Sequence, residues 1–376
     1  MDIRPLIRIS AFLFCAQMLL LNSGGLAQAK SGPLPLQQLA GGTHSHNVLR
    51  LLNTVTIPNT PHTQWCYDTA IADDGRYYLA DNDRAGIDVI HDGKHSASQG
   101  MIGKGQFTGV GGCKSGNYDT DGPNGLVIAD EQIFAGDGNS SVRVYSKETG
   151  RFITRIETGG HLRSDEITYD ARDQMVIVAN GSERDDAHQD APFLSFISTK
   201  PGTTYDKLVK TLPFPHANAL EQPQWDPYDG NLYLTLPSSD QNPTGEVDVI
   251  DLASIHVTSI PTPNCADAGL AFASQGVAAI GCANGDQIVL NLHTHHLTRI
   301  PVTSVDIVAA DAHFLFFASY GSDTQAPQLA VTDLQGHLLQ TIPLTSVSHT
   351  VTVDIENGHV YVPLDGGQVE IFQETR

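Results

Sequence analysis

The stretch DEITYDARDQMVIVAN (165–180) decides the fold of this chain. It reads as a polar head, a short alternating strand, a turn rich in Asp, and a second, almost continuously apolar strand. Two carboxylates, Asp165 and Glu166, stand side by side at its head, where like charges repel. The same unit recurs in YDTAIADDGRYYLAD (67–81), PNGLVIADEQIFAGD (123–137) and EQPQWDPYDGNLYLTL (221–236). It returns in DAGLAFASQGVAAIGC (267–282), VDIVAADAHFLFFAS (305–319) and HTVTVDIENGHVYVPL (349–364). Most copies run on into a third strand such as VRVYSK or VDVIDL, and often into a fourth such as GRFITRIET. Helical periodicity is scarce throughout.

Units of four strands spaced by roughly 40 to 55 residues predict a β-propeller, here all-β with seven blades; six or eight blades are the alternative counts. The last unit stops after its third strand, VEIFQ, while NVLRLLNTVTIP (47–58) has the look of an orphan fourth. Pairing of 47–58 with 368–373 would close the ring and leave no open sheet edge. A sandwich fits less well, because sandwiches do not repeat one four-strand unit.

Residues 1–29 read as a secretory signal, with Arg4 and Arg8, the apolar run ISAFLFCAQMLLL and the A-x-A site Ala27-Gln28-Ala29. Residues 30–46 read as a flexible tail, and 47–376 as a single propeller domain. A periplasmic or secreted location follows, with no membrane insertion. The formal net charge is −21, which repels nucleic acid and anionic membranes. Cys66, Cys113, Cys265 and Cys282 follow the signal. In an oxidising compartment four cysteines suggest two disulfides with three pairings. Cys265 and Cys282 flank the hairpin AGLAFASQGVAAI, which selects Cys265–Cys282 and leaves Cys66–Cys113.

The units VYVPLDGGQVEIF, LYLTLPSSDQNPTGEVDVIDL and DEITYDARDQMVIVANG resemble those of the YVTN/YncE-type bacterial propellers. That resemblance spans nearly the whole mature chain and implies an exported propeller without implying a chemistry. GPNGLVIADEQIFAGDG and EQPQWDPYDGNLYL are also similar to motifs of the SMP-30/gluconolactonase group, six-bladed metal-dependent lactonases. This second resemblance implies metal ligation by Asn124 and Glu221, on a chain with seven units rather than six.

Register turns the repeat into a candidate site. Asp73, Asp170, Asp226, Asp311 and Asp354 sit in the turns after the inner strands, and five residues before each stand Asp68, Asp165, Glu221, Asp306 and His349. In the fifth unit Phe272 takes the turn position and points back to Asp267; in the second, Asn124 is the candidate. Seven polar heads would gather at one mouth of the channel, the usual place for a ligand. An oxygen-rich set suits a divalent ion, Ca²⁺, Mg²⁺ or Mn²⁺, held by Asp68, Asn124, Asp165, Glu221, Asp267 and Asp306. Asp165, Glu221 and His349 are the expected catalytic groups, with Glu166 and Gln222 in a shell behind. By alternation, Asp165 and Glu166 should part, one toward the channel and the other toward the seam or Arg163.

Two functional classes follow. One is a metal-dependent hydrolase or lyase on a small polar substrate, a lactone for instance. The other is a non-catalytic propeller, expected to be monomeric, that binds a small polar or cationic ligand, a metal ion or a protein partner. Against both stands a water-filled channel whose polar heads only cap strands. The Gly-rich GKGQFTGVGGCKSGNYDTDG (103–122) reads as a lid or rim of the mouth, or as a passive loop. It lacks the strand–loop–helix context of a nucleotide site. His293, His295 and His296 fall in an outer turn and read as a surface cluster. His161, Arg163 and His216 precede inner strands and are in reach of the mouth.

Overall fold

The computed structural model describes residues 47–60, 64–91, 98–111, 118–181 and 191–375. Seven four-stranded antiparallel sheets form a ring. Blades 1 to 6 span 67–102, 126–157, 167–213, 223–261, 267–303 and 305–343, each with its strands in chain order from the axis outward. The inner strands neighbour one another in sequence around the axis, and Thr352–Asp354 of blade 7 returns to Tyr67–Asp73 of blade 1. The expected seven-bladed propeller is therefore observed.

Blade 7 closes the ring. Its sheet runs Thr352–Asp354, His359–Leu364, Gln368–Glu374 and then Leu49–Thr56. Pairing extends from Leu49↔Glu374 to Thr56↔Gln368. The first and last strands thus complete one blade, as the orphan strand in the sequence implied, and the outermost edge is covered by chain from the other terminus.

The blades hold together through seven apolar clusters, each filling the seam between two neighbours. Second strands such as Leu232–Leu236 and Val277–Cys282 are buried along their whole length because both faces meet another blade. This is why they read as continuous apolar runs rather than alternating ones. At the closing seam the buried rings of Tyr77 and Tyr361 stack at 4.7 Å. Outer strands such as Lys207–Pro213 lie largely exposed and carry the charges.

The turn aspartates have a local cause. Asp226 Oδ1 accepts the Tyr228 amide at 2.8 Å, and Asp311 Oδ1 accepts those of His313 and Phe314 at 2.7 and 2.6 Å. Asp354 and Asp170 cap their turns in the same way, so these residues build Asx turns rather than a site. Asp73 is the exception: its two-residue turn Asp74-Gly75 takes positive φ angles of 51° and 69°, and Asp73 pairs with Lys147.

The Cys265–Cys282 disulfide is present, with Cα atoms 4.5 Å apart. The expected Cys66–Cys113 bridge involves Cys113, which lies outside the described residues, as do the signal and tail assigned to residues 1–46. Among the described residues no helix is long and apolar enough to cross a membrane.

Candidate functional site at the acidic mouth

In blades 1 to 6 the inner strand opens with two residues set against one. In blade 3 the Asp165 amide donates to Ala179 O at 2.8 Å while the Ala179 amide donates to Glu166 O at 2.9 Å. Asn124 and Gly125 flank Gly136 in the same pattern, and Glu221 and Gln222 flank Thr235. In blades 1, 5 and 6 the register skips at the same place, leaving Asp68–Thr69, Ala268–Gly269 and Asp306–Ile307 as the extra pair. Such a bulge suspends strand alternation locally. Asp165 turns to Arg163 and Glu166 lines the channel, the division expected for the pair, yet with Asp68 each still offers an oxygen within 4.8 Å of the others.

The bulges also join the blades. The Gly125 amide donates to Asp165 O at 3.2 Å, the Ile307 amide to His349 O at 2.9 Å, and the Thr69 hydroxyl to Asn124 O at 3.1 Å. The approach is close enough to require glycine: a Cβ at Gly125 would lie 2.2 Å from Asp165 O.

Asp68, Asp165, Glu221, Asp306 and His349 come together at this mouth, and Glu166 and Arg163 join them. Arg163 lies 2.7 Å from Asp165 and 3.6 Å from Asp68. Its backbone amide is fixed on Asp119 O at 2.8 Å. His349 Nε2 meets Tyr67 O at 3.0 Å, and Nδ1 lies 3.4 Å from Asp306 Oδ2, which also accepts the Tyr320 hydroxyl at 3.1 Å. The His349 ring lies 4.5 Å from that of Tyr67 and 6.3 Å from the parallel Tyr320 ring. Both imidazole nitrogens face acceptors, an arrangement that favours the doubly protonated ring; this protonation state is assigned from the hydrogen-bond network.

Burial dominates the electrostatics. It raises Asp165, and with Asp165 beside them it holds Glu166 and Glu221 well above the usual carboxylate range. Asp68 is pushed up to about 7, by burial first and by Asp165 second. Burial works against the charge on His349, but the hydrogen bond and charge of Asp306 outweigh it and raise the ring. Burial likewise opposes the Arg163 charge, and Asp165, Asp68, Glu166 and Glu221 overcome it. Asp165 Oδ1 and Glu166 Oε2 are buried without a hydrogen-bond partner.

Two expected members are placed elsewhere. The first hairpin of blade 5 turns through Ser274–Gly276 after Ala273, so Phe272 is a strand residue and the register runs one residue later than expected. Ala268 takes the bulge position, and a one-residue slip sends the neighbouring side chain to the other face. Asp267 accordingly accepts the Thr262 hydroxyl beside Cys265 and Cys282, away from the ring. Asn124 keeps the expected register, but its amide donates to Asp121 O at 2.8 Å and Ser164 O at 3.1 Å, tying blade 2 to blade 3. Only its Oδ1 lacks a partner.

A channel of about 360 Å³ runs behind the cluster, lined by Thr69, Glu166 and Gln222 toward the acidic end and by Ile71, Phe272 and Ile355 toward the other. Glu166 and Gln222 thus face the channel, where a shell behind the site was expected, while Asp165 turns to Arg163. Sequence reasoning missed Tyr67, Tyr320 and Asp365, whose carboxyl burial pushes up to about 6 beside His349. The visible signal for Tyr67 is its place just ahead of Asp68; Tyr320 and Asp365 carry none. His216 is exposed on Asp240 at 3.2 Å, and His161, His293, His295 and His296 are exposed or near the surface, outside the cluster.

No protein-family model matches the chain, and no curated protein matches it. Among solved structures it is similar to virginiamycin B lyase from Staphylococcus aureus, with a TM-score of 0.64, 10% identity, and coverage of 87% of this chain and 100% of that one. It is also similar to a chain of a mitotic checkpoint complex, with a TM-score of 0.63, 11% identity, and coverage of 92% and 99%. At such identity the likeness is one of fold, and the fold is the seven-bladed β-propeller.

Proposed function

We propose that the acidic mouth holds one divalent cation and that the protein is an exported hydrolase or lyase acting there on a small polar substrate, with lactones the first class to test. The observation that carries this reading is the trio Asp68, Asp165 and Glu166, with ligand oxygens within 4.8 Å of one another and two carboxylate oxygens that lack any donor. Charge supports it too. Among the described residues, Asp68, Asp165, Glu166, Glu221 and Asp306 face Arg163 and His349 as built-in cations. That leaves negative charge which must be met by protons or by a bound ion.

A divalent ion held by the trio would polarise a carbonyl and acidify a bound water. The chain's own groups divide the remaining work. Arg163 fixes Asp165 and Asp68 in place. Glu221, whose protonated form burial favours, is suited to deliver a proton. His349, with both nitrogens facing acceptors, acts as an acid or a fixed charge rather than a base. The likeness of the strand units to the YVTN/YncE-type propellers, the signal-like residues 1–29 and the Cys265–Cys282 bridge support export. The lyase among the similar structures supports only that a propeller can host such chemistry.

Arg163 favours a second reading, because it already supplies a cation to the ring. In that reading the mouth binds a small cationic ligand or a partner without catalysis. Equilibrium dialysis with Mg²⁺, Ca²⁺ and Mn²⁺, followed by a lactone and ester screen with and without chelator, separates the two. Protein that takes up no ion and gives no chelator-sensitive turnover rules out the first.

A further inference from the structure

Blade 1 carries a second buried acid pair that the mouth does not use. Asp81 ends the strand Arg76–Asp81 and Asp88 lies within Gly86–His91; both are buried, at 0% and 1% exposure. Cross-strand pairing sets Asp81 against Gly86 and Leu79 against Asp88, so the two carboxyls share a face as diagonal neighbours. Gly86 has no side chain to separate them, and they lie within hydrogen-bond reach of each other.

Their outer oxygens are satisfied. Asp81 Oδ1 accepts the Arg84 amide at 2.9 Å, and Asp88 Oδ1 pairs with the Arg84 guanidinium at 2.6 Å. Their inner oxygens, Asp81 Oδ2 and Asp88 Oδ2, have no donor within 3.5 Å among the described residues. Two buried acceptors facing each other repel unless something positive lies between them.

We propose that Asp81 and Asp88 share one proton, and that this acid–carboxylate pair makes the seam beside the ring closure sensitive to pH. Among the described residues the other groups that face the pair are few. They are Arg84 from the connecting loop, the Trp65 indole, the buried Tyr77 phenol and Lys104, which lines a cavity of about 260 Å³ with Asp88. Ile57 and Pro58, at the end of the closing strand, form another wall of that cavity. The Ile57 amide is anchored on Gly367 O at 2.8 Å. Loss of the proton therefore places repulsion where the last strand joins the first blade.

Burial first and Asp81 second push Asp88 up to about 9, and burial raises Asp81. A carboxyl raised in the folded state contributes most below its unfolded value near 4 and loses that contribution as pH climbs toward the folded value. Asp88→Asn supplies an N–H donor to Asp81 without needing a proton. In the full chain, melting temperatures of variant and wild type should lie close together at about pH 5, and the variant should be higher by several degrees at about pH 9.

A gap that stays constant with pH would overturn the proposal. So would a wild-type carboxyl ¹³C titration in which both residues ionise below about pH 5, a readout that needs no variant to fold. A chelator that lowers the wild-type melting temperature at fixed pH but not that of Asp88→Asn would put a metal ion between the oxygens instead.

Discussion

Blade 3 opens on Ser164-Asp165-Glu166 and blade 5 on Ala266-Asp267-Ala268, and both put an acid near the head of an inner strand. In blade 3 the acid takes the first bulge position and reaches Arg163 at 2.7 Å. In blade 5 alanine takes that position, and the acid one residue earlier is turned into the blade beside the disulfide. The difference is where the strand ends: Asp170 ends the blade 3 strand five residues after Asp165, and Ala273 ends the blade 5 strand five residues after Ala268. A period of two makes one residue decide which face a side chain joins. Whether an acid belongs to the mouth is therefore set at the opposite end of its strand.

Breaking the blade 3 side should have the largest effect. Asp165→Asn takes from Arg163 its nearest ion-pair partner and, among the described residues, leaves it Asp68 at 3.6 Å. Removing one member of a buried pair costs about 3–5 kcal/mol, and the residual Asp68 contact places the expected loss near the lower end. Denaturant unfolding measures it, and divalent-ion binding should disappear with it. Unchanged stability would mean that solvent reaches Arg163 and compensates it.

Next in size is the close approach that blades 2 and 5 share. A Cβ on Gly269 would stand 2.5 Å from Asp306 O, much as one on Gly125 would stand 2.2 Å from Asp165 O. Neither oxygen is a side-chain atom that can swing away. Gly269→Ala and Gly125→Ala should each cost about 1–3 kcal/mol by overpacking, with Gly125→Ala the worse. If both melt like the wild type, the bulge geometry that separates blades 3 and 5 is wrong.

Glu166→Gln sharpens the comparison through pH. Burial and then Asp165 hold Glu166 well above the usual range. Its contribution is complete below the unfolded value near 4.5 and is lost as pH rises toward the raised folded value. The glutamine variant should therefore match the wild type in mild acid and be the more stable by about 1 kcal/mol or more near neutrality, while binding a divalent ion less tightly. A variant less stable at every pH would show that the carboxylate is ionised and compensated.

The fold was legible because turn chemistry and apolar runs repeat locally: Asp226, Asp311 and Asp354 announce their own turns, and the second strands announce their burial. Five of the seven heads, those of blades 1, 3, 4, 6 and 7, could be placed in the cluster by counting back from such turns. Blade 5 misled because Ala273 stands where an aspartate marks the turn elsewhere, so counting began one residue early, at Phe272. Blade 2 gave the right register for Asn124, yet nothing in the sequence shows that its amide is spent on Asp121 and Ser164. Arg163, Tyr320 and Asp365 reach the cluster from outside the repeat, so periodicity could not mark them as members. The close approach of the Asp165 and Glu166 oxygens to Asp68 depends on the bulge, which strict alternation does not foresee.

The smallest effect should come from the acid that the register displaced. Asp267 is buried at 0% exposure, and burial holds its carboxyl well above the usual range, which favours the protonated form. It accepts the Thr262 hydroxyl through Oδ2, and its Oδ1 has no partner. Asp267→Asn keeps the shape and an acceptor for Thr262 and replaces an acid O–H by an amide N–H. Its effect on stability near neutrality should stay within about 1 kcal/mol. At alkaline pH the variant should gain on the wild type, because the raised carboxyl must ionise there at a cost that asparagine does not incur. Most tellingly, it should leave divalent-ion affinity at the mouth unchanged where Asp165→Asn abolishes it. Calorimetric titration of the two variants side by side makes the decision. Equal losses of affinity would return Asp267 to the ring and put the blade 5 register back where simple counting had placed it.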